Sequence, residues 1–358
     1  MVLISLIALF YIAILGKDIL APLIFSLLFS ILLLPVAGWF ERRLRLPRAL
    51  ASILSVLLLL LSIAAILFLV GSQISHLAKD WPQFKDQVGS TLKDFQHWIT
   101  LKFHVDLEAQ MNYMDNAASH ILSTGPAMIG ATVLTLSSAL LFIVFTLIDT
   151  FFLLFYRRLI IRFLVSVFKE ENSEVVYDII AQVQTRLRQY ILGLLLEMAI
   201  VSTVGCMALL ILGVKYAILL GLLTGLLNLI PYIGIFISLL LSVLVTFAAA
   251  GAAKILLVVF TLFGIHLLDA NLLLPFMVGS KVRVNALITI LGVIIGEAIW
   301  GITGAFLALP VIAITKIVFD RIDSMKPWGM LLGDEIDEKR PQPLKSEIKK
   351  EDAEDERV

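Results

Sequence analysis

Charged side chains and cysteines are both scarce in this chain of 358 residues. Only 16% of the residues are charged, whereas 60% are apolar, and the mean hydropathy is +0.99. A soluble domain of this length would need far more polar surface, so the composition predicts an all-α polytopic membrane protein. The single cysteine, Cys206, lies in an apolar run, which excludes a disulfide framework and a cysteine-based metal site.

Several motifs of nucleotide and catalytic chemistry are also absent. There is no Walker loop, no zincin motif, no Ser/His/Asp order and no glycine-rich nucleotide turn, so we expect neither an ATP-driven pump nor an enzyme, and no cofactor. No basic patch with interleaved aromatics suggests a nucleic-acid partner. No basic n-region precedes the apolar segment at Met1, so no cleavable signal peptide is expected. The expected partners are the lipid bilayer and a small-molecule or ion substrate.

Two basic clusters predict the orientation of the chain. Arg42, Arg43, Arg45 and Arg48 form the densest cluster, and six Lys or Arg residues lie within 157–188. Both should be cytoplasmic by the positive-inside rule, which puts the insert between them outside and the C-terminus in the cytoplasm. The first half of the chain is predicted to contain three N-terminal membrane segments (1–71), an extracytoplasmic amphipathic insert (72–125) and a fourth span (126–156). A cytoplasmic amphipathic linker (157–190), a transport core (191–319) and a charged, disordered cytoplasmic tail (320–358) follow. The transport core begins with a fifth span at 191–212.

The insert carries one continuous apolar stripe on a predicted helix of about seven turns. The stripe can pack against the protein's own helices or against a neighbouring copy in a homo-oligomer, and the alternative is that it lies on the outer membrane surface. Its residues are Ile74, Leu77, Trp81, Phe84, Val88, Leu92, Phe95 and Ile99.

Two apolar runs, 216–249 and 286–319, fit neither one membrane span nor two. Each has 34 residues, which would make a straight helix of about 50 Å against a hydrocarbon core of about 30 Å. Ile-Pro-Tyr-Ile-Gly at 230–234 interrupts the first run, and Gly301, Gly304 and Pro310 interrupt the second. We therefore predict two broken or re-entrant helical hairpins facing each other, within about seven to eight membrane segments. An ungapped match of 224–231 to 303–310 suggests a structural repeat, with coincidence as the alternative.

Four acids lie within apolar segments, where each would cost about 2.5–3.5 kcal/mol at the bilayer centre unless it faces protein or water. Asp149 is expected to pair with Arg157 near the cytoplasmic edge, and Glu197 is an additional candidate for function. Asp269 follows His266 by three residues on one helix face, where a carboxylate beside an imidazole can hold a proton. The alternative for this pair is a buried polar cluster that supports a helix break at Pro275. Glu297 could bind a cation or a proton, or pair with a basic group.

The tip of the first hairpin offers free backbone groups and one amide, which suit polar uncharged ligands or ions. Together with the acids and the second break, it defines a predicted substrate or ion pathway without a catalytic pair or a metal site. The pathway residues are Asn228, Pro231, Tyr232, Gly234, His266, Asp269, Asn271, Glu297, Gly301, Gly304 and Pro310, with Glu197 in addition.

The chain resembles the autoinducer-2 exporter family, the PerM-like permeases, over about 22–319. The resemblance rests on Leu-Pro-Arg at 46–48, Gly-Val-Lys-Tyr-Ala at 213–217, Asn-Leu-Ile-Pro-Tyr-Ile-Gly at 228–234, Asp-Ala-Asn at 269–271, Trp-Gly at 300–301 and Leu-Ala-Leu-Pro at 307–310. It implies a multi-pass protein of the bacterial inner membrane with seven or eight spans that exports small molecules or exchanges ions. Two departures stand out: Asn285-Ala286 stands where many members have a proline after a polar residue, and Glu297 stands where many have a glycine.

Three functions follow from this combination. The first is a secondary transporter that exports a small polar molecule, similar to autoinducer-2, with Asp269 or Glu297 coupling export to an ion gradient. The second is a sodium (cation)/proton antiporter that uses the same acids. The third is a non-transporting scaffold or accessory subunit, for which the apolar stripe of the insert would be the assembly surface.

Overall fold

The computed structural model describes residues 2–80, 86, 90, 139–230, 233–250, 252–273, 276–277 and 284–333, and throughout these ranges the regular structure is helical. Twelve helices are numbered here in chain order. They are α1 Val2–Leu15, α2 Lys17–Arg43, α3 Arg48–Lys79, α4 Ala139–Phe155, α5 Arg157–Ser166, α6 Ser173–Ile211, α7 Ala217–Leu227, α8 Ile233–Ala250, α9 Ala252–Leu268, α10 Ala286–Trp300, α11 Ile302–Arg321 and α12 Lys326–Leu332.

The described helices confirm an all-helical polytopic membrane protein. Five of them are long and apolar enough to cross a bilayer: α2, α3, α6, α9 with the turn that follows it, and α11. A sixth candidate is the pair α4 and α5, which is bent by 70° at Tyr156. Three shorter apolar helices, α7, α8 and α10, accompany them. The total of seven to eight segments and the re-entrant character of the hairpins stay predictions.

Two expected boundaries inside helices are absent. The structure joins the predicted linker helix and fifth span into α6, a single helix of 39 residues without a break at Tyr190. Helix α3 likewise continues past Gly71 to Lys79 and includes Ile74 and Leu77, the first residues of the apolar stripe. The rest of that stripe and the tail from 334 onward lie outside the described residues.

Both long apolar runs are broken, although not at every expected position. The first is interrupted between α7 and α8, and the second turns at Gly301, whose φ of 64° is a conformation that favours glycine. The predicted interruptions at Gly304 and Pro310 are wrong, because α11 continues through both. Gly304 instead permits close contact with the backbone of Gly296 on α10. Pro310 is buried within α11, and membrane helices tolerate proline where neighbouring groups satisfy the freed backbone.

Helix α6 packs against α2 and α11 on one part of its length and against α7 and α9 on another. The part of α6 before Glu197 packs Leu187, Tyr190 and Leu194 against α2 and α11 in one apolar cluster. The part after Glu197 packs Val201 and Leu209 against α7 and α9 in another. The span of α6 between the two clusters contains Glu197, which is 2% exposed.

Polar contacts at the helix ends distinguish the two faces of the protein. At one face, Arg157 donates two hydrogen bonds of 2.7–2.8 Å to Glu41 at the end of α2. At the other face, Asp80 follows α3 and accepts hydrogen bonds from Lys215 at 2.9 Å and Tyr216 at 3.0 Å. Lys254 of α9 donates there to the carbonyl of Gly213, just after α6. The ends of α3, α6 and α8 therefore lie together, opposite the arginine-rich loop at 42–48.

Candidate functional site

Two buried carboxylates share one amide inside the helical bundle. The Nδ2 atom of Asn228 donates a hydrogen bond of 2.9 Å to Oε1 of Glu197 and another of 2.9 Å to Oδ2 of Asp269. Glu197 is 2% and Asp269 4% exposed. Because one nitrogen contacts both acids, the two bonded oxygens are at most twice 2.9 Å apart. We call these three residues the carboxylate–amide cluster.

Close packing of α7 against α6 brings Asn228 to Glu197. A Cβ atom at Gly225 would lie 2.6 Å from the Met198 carbonyl oxygen and 2.7 Å from the Ser202 backbone nitrogen. The next turn of α7 repeats the close approach, since Gly221 touches the backbone of Cys206. Small residues are the usual means by which membrane helices approach this closely. In this antiparallel register the C-terminal end of α7 lies beside Glu197.

The break after α7 directs Asn228 into the bundle. Asn228 is the first residue after the helix, and the chain turns at Leu229 and Ile230 before α8 begins. Gly234 in the first turn of α8 contacts the carbonyl group of Leu227, and a Cβ atom there would collide with that backbone. Gly234 therefore has a steric role in the break. Pro231 and Tyr232 lie outside the described residues.

Asp269 belongs to a π-helical turn, Asp269–Leu273, that follows α9. Such turns widen a helix locally and are frequent at functional sites. Asn271 in the same turn is exposed and donates to the Leu267 carbonyl oxygen at 2.7 Å, so it does not join the cluster. Pro275 lies outside the described residues.

A cavity of about 30 Å³ adjoins the cluster. Its lining residues include Thr224, Asn228, Ser238, His266 and Asp269 among apolar side chains of α6, α8 and α9, and none of the described lining residues is Lys or Arg. Three buried polar atoms here have no hydrogen-bond partner within the described protein: Glu197 Oε2, Asp269 Oδ1 and His266 Nδ1. The cavity has room for about one or two water molecules or a small ion.

Other predicted pathway residues lie apart from the cluster. Glu297 is exposed on α10 and lines no part of the cavity. Gly301, Gly304 and Pro310 belong to the α10–α11 hairpin, which meets the first break through Ile230 packed with Val293 and Ala305. The pairing expected between Asp149 and Arg157 is not formed, because Arg157 binds Glu41.

Glu197 ranked only as an additional candidate in the sequence, yet it contacts Asn228 as directly as Asp269 does. The spacing of small residues in the sequence is consistent with this contact. Ser202 and Gly205 on α6 match Gly225 and Gly221 on α7 in an antiparallel register, and the same register aligns Glu197 with Asn228.

Asn285, which precedes Ala286, has a clear structural role at the start of α10. Its side chain accepts a hydrogen bond of 2.8 Å from the Ile288 backbone and caps α10. Its amide donates to the carbonyl oxygens of Leu331 at 2.7 Å and Gly333 at 3.1 Å. One side chain thus attaches α12 to the start of the second hairpin.

Comparison with known proteins agrees with this architecture. The sequence model described as AI-2E family transporter matches residues 3–324. The candidate transport protein YueF of Bacillus subtilis is 28% identical over 80% of this chain and 79% of its own length. The AI-2 transport protein TqsA of Escherichia coli is 24% identical over 89% of this chain and 90% of its own. The candidate permease PerM of Escherichia coli is 27% identical over 73% and 74%, respectively.

Proposed function

Because this chain belongs to the AI-2E family of transporters, which are not enzymes, we propose that it is a secondary transporter exchanging a monovalent cation for protons at the carboxylate–amide cluster. The proposed location is the bacterial inner membrane, with the C-terminus in the cytoplasm. The observation that carries the proposal is the pair of buried acids bridged by a neutral amide.

The charge of the pair requires a bound proton or cation. The bonded oxygens are at most twice 2.9 Å apart, so at an effective dielectric of about 20 two ionised carboxylates repel each other by at least roughly 3 kcal/mol. Burial adds the cost of removing both charges from water. Asn228 donates hydrogen bonds but brings no positive charge. Among the described residues that line the adjoining cavity there is no Lys or Arg, and His266 is the one basic side chain. A proton shared by the pair, or a cation beside it, removes the repulsion. Because a proton and a cation compete for the same carboxylate oxygens, binding of one displaces the other, and this competition is the basis of the exchange.

The size of the cavity favours an ion over an organic substrate in this conformation. A volume of about 30 Å³ accommodates a cation with one water molecule, whereas pockets for drug-sized molecules measure about 300–1,000 Å³. Oxygen ligands are available from Asp269, Thr224 and Ser238, which all line the cavity. Hard cations prefer carboxylate and other oxygen ligands of this kind.

The position of the cluster fits a membrane carrier. Asn228 comes from a broken apolar segment and Asp269 from a π-helical turn, so both lie where regular helix stops. Carriers commonly bind substrates and coupling ions between such interrupted helices. Irregular backbone at this depth is tolerated where it is buried in protein or lines a cavity. The same interruptions are the natural points of bending during alternating access.

Export of a small polar molecule is the second candidate. It is supported by the similarity to TqsA, which is described as an AI-2 transport protein. A cleft of about 610 Å³ between the first turns of α2 and α11 and the start of α4 is large enough for such a molecule, and Asp18, Phe142, Phe145 and Thr303 line it. In this version the cluster supplies the ion coupling, and the organic substrate binds elsewhere.

Transport measurements separate these functions. Inverted vesicles containing the protein are given a pH gradient, and its collapse is followed after addition of Na⁺, Li⁺ or K⁺. We expect cation-dependent collapse for the wild type and almost none for Asp269→Asn or Glu197→Gln. Glu297→Gln is the matched control, since it removes an exposed carboxylate from another apolar helix, and it should retain the activity.

Each alternative has a distinct outcome. If cations leave the gradient intact but a gradient drives uptake of autoinducer-2 that Asp269→Asn abolishes, the chain is a coupled exporter. If the wild type moves neither ions nor autoinducer-2, and both cluster variants support every cellular phenotype, the proposal fails and the scaffold function is favoured.

A further inference from the structure

Helix α8 has a line of hydroxyl groups on its buried face. Ser238, Ser242 and Thr246 recur every four residues and are 5%, 1% and 0% exposed. Ser238 lines the cavity beside Asp269, so the line begins at the carboxylate–amide cluster. It extends over eight residues, about 12 Å along the helix.

Two of these hydroxyls have no partner in the described structure. Neither Ser242 Oγ nor Thr246 Oγ1 makes a hydrogen bond. Many hydroxyls on the other helices donate to a carbonyl three or four residues earlier, as Ser55 does to Ala51 and Thr150 to Thr146 at 2.6–2.8 Å. That local bond is the usual way for a membrane helix to satisfy a buried hydroxyl, so its absence at both positions of one line calls for another partner.

The line leads from the cluster to one face of the protein. Thr246 lies four residues before the end of α8, and α9 begins two residues beyond that end. Lys254 in the first turn of α9 bonds to Gly213 after α6, at the face opposite the arginine-rich loop. By the predicted orientation this is the outer face.

We propose that Ser238, Ser242 and Thr246 line the outer access route by which a monovalent cation or a proton reaches the carboxylate–amide cluster. The proposal rests on the proposed ion exchange and specifies its path. Hydroxyl oxygens coordinate a passing cation or hydrogen-bond its water, and they also relay protons through water. The four-residue spacing puts each hydroxyl one turn from the next, about 6 Å along the helix.

Removal of one hydroxyl at a time tests the route. We expect Ser242→Ala and Thr246→Val to slow cation-driven proton exchange about tenfold each, since each loses one hydrogen bond to the ion or its water. The thermal midpoint of unfolding in detergent should not fall, because loss of an unpartnered hydroxyl removes no bond within the protein. Thr246→Ser keeps a hydroxyl and should retain the rate.

Matched controls come from buried hydroxyls that bond to their own helix. Ser55→Ala and Thr150→Val remove groups of the same size and burial, and both should leave the exchange rate unchanged. A second measurement uses Ser242→Cys in a Cys206→Ser background with Ag⁺, a monovalent cation that binds thiolates, added from outside. We expect modification at position 242, and none for Ser55→Cys in the same background.

The outcomes separate this inference from the proposed function. Wild-type rates in Ser242→Ala and Thr246→Val, together with an unmodified cysteine at 242, would show that the line only packs α8 closely, and would overturn the route. Full activity of Asp269→Asn would instead overturn the ion-exchange proposal. Modification of the cysteine at position 242 reports access from the outer solution and does not require transport. It therefore tests the route whether or not the ion-exchange proposal holds.

Discussion

Substitution of Gly225 by alanine should slow transport strongly although Gly225 is not in the carboxylate–amide cluster. The added Cβ atom would lie 2.6 Å from the Met198 carbonyl oxygen and 2.7 Å from the Ser202 nitrogen, whereas ordinary contacts begin at 3.4 Å. Both atoms belong to the backbone of α6 and cannot rotate away. Helix α7 must therefore move by roughly 0.8 Å, the difference between these contact distances.

A shift of that size breaks the bridge between the acids. The Asn228–Glu197 hydrogen bond would lengthen from 2.9 Å to about 3.7 Å, beyond hydrogen-bonding distance. Displacements near 1 Å in a binding site can reduce rates about a hundredfold, and overpacking costs about 1–3 kcal/mol of stability. We therefore expect cation-driven proton exchange to fall about a hundredfold, with a lower thermal midpoint in detergent.

Gly71→Ala is the control for this substitution. Gly71 lies in the helix α3, and a Cβ atom there meets nothing within 4 Å. Because alanine favours helices by about 1 kcal/mol over glycine, this variant should be as active as the wild type and no less stable. Full exchange activity and an unchanged midpoint in Gly225→Ala would refute the argument that this packing positions Asn228.

Three further predictions concern the ends of the helices. Glu41→Gln weakens the paired hydrogen bonds to Arg157 and should lower the free energy of unfolding by about 1–3 kcal/mol, measured by denaturation in detergent, with Glu41→Asp less affected. The hydrogen bond from Lys215, and to a smaller extent that from Tyr216, lowers the pKa of Asp80 below its ordinary value of 3.8. The contact therefore stabilises the fold at pH values above 3.8, and this stabilisation is lost as the pH falls through the lowered pKa. The difference in thermal midpoint between wild type and Asp80→Asn should therefore be present at neutral pH and vanish in strong acid; a difference that persists there would contradict the assignment. Asn285→Ala should release α12 and speed proteolysis after α11, and an unchanged cleavage rate would exclude the attachment.

The membrane class and the main breaks were predictable because they depend on local sequence. Hydropathy over about 20 residues identifies a span, and glycine and proline mark candidate breaks, as they do at Gly301 and in the segment 228–234. Helix α6 runs through the boundary expected at Tyr190 because its charged part and its apolar part both favour a helix. The break predicted at Pro310 is wrong, because a membrane helix can continue through proline when neighbouring groups bind the backbone carbonyl that proline leaves free. Those neighbours are not visible in the local sequence.

The partners within the site were not predictable from local sequence. Asp269 and Glu297 look alike as single acids in apolar segments, yet one is 4% exposed and bonded to Asn228 and the other is exposed. The difference depends on which faces of three helices turn inward. The contact between Glu197 and Asn228 depends on the glycine register of α6 and α7, which is visible in the sequence only once the two helices are known to pack.

Proton release on cation binding tests the central claim most directly. Purified protein in weakly buffered detergent solution is mixed with NaCl, LiCl or KCl at matched ionic strength, and a pH-sensitive dye reports the protons released. If Glu197 and Asp269 share a proton that a cation displaces, the wild type should release about one proton per chain for at least one of these ions, and Asp269→Asn should release none. Equal release from both proteins, or none from the wild type with any of the three ions, would contradict the account.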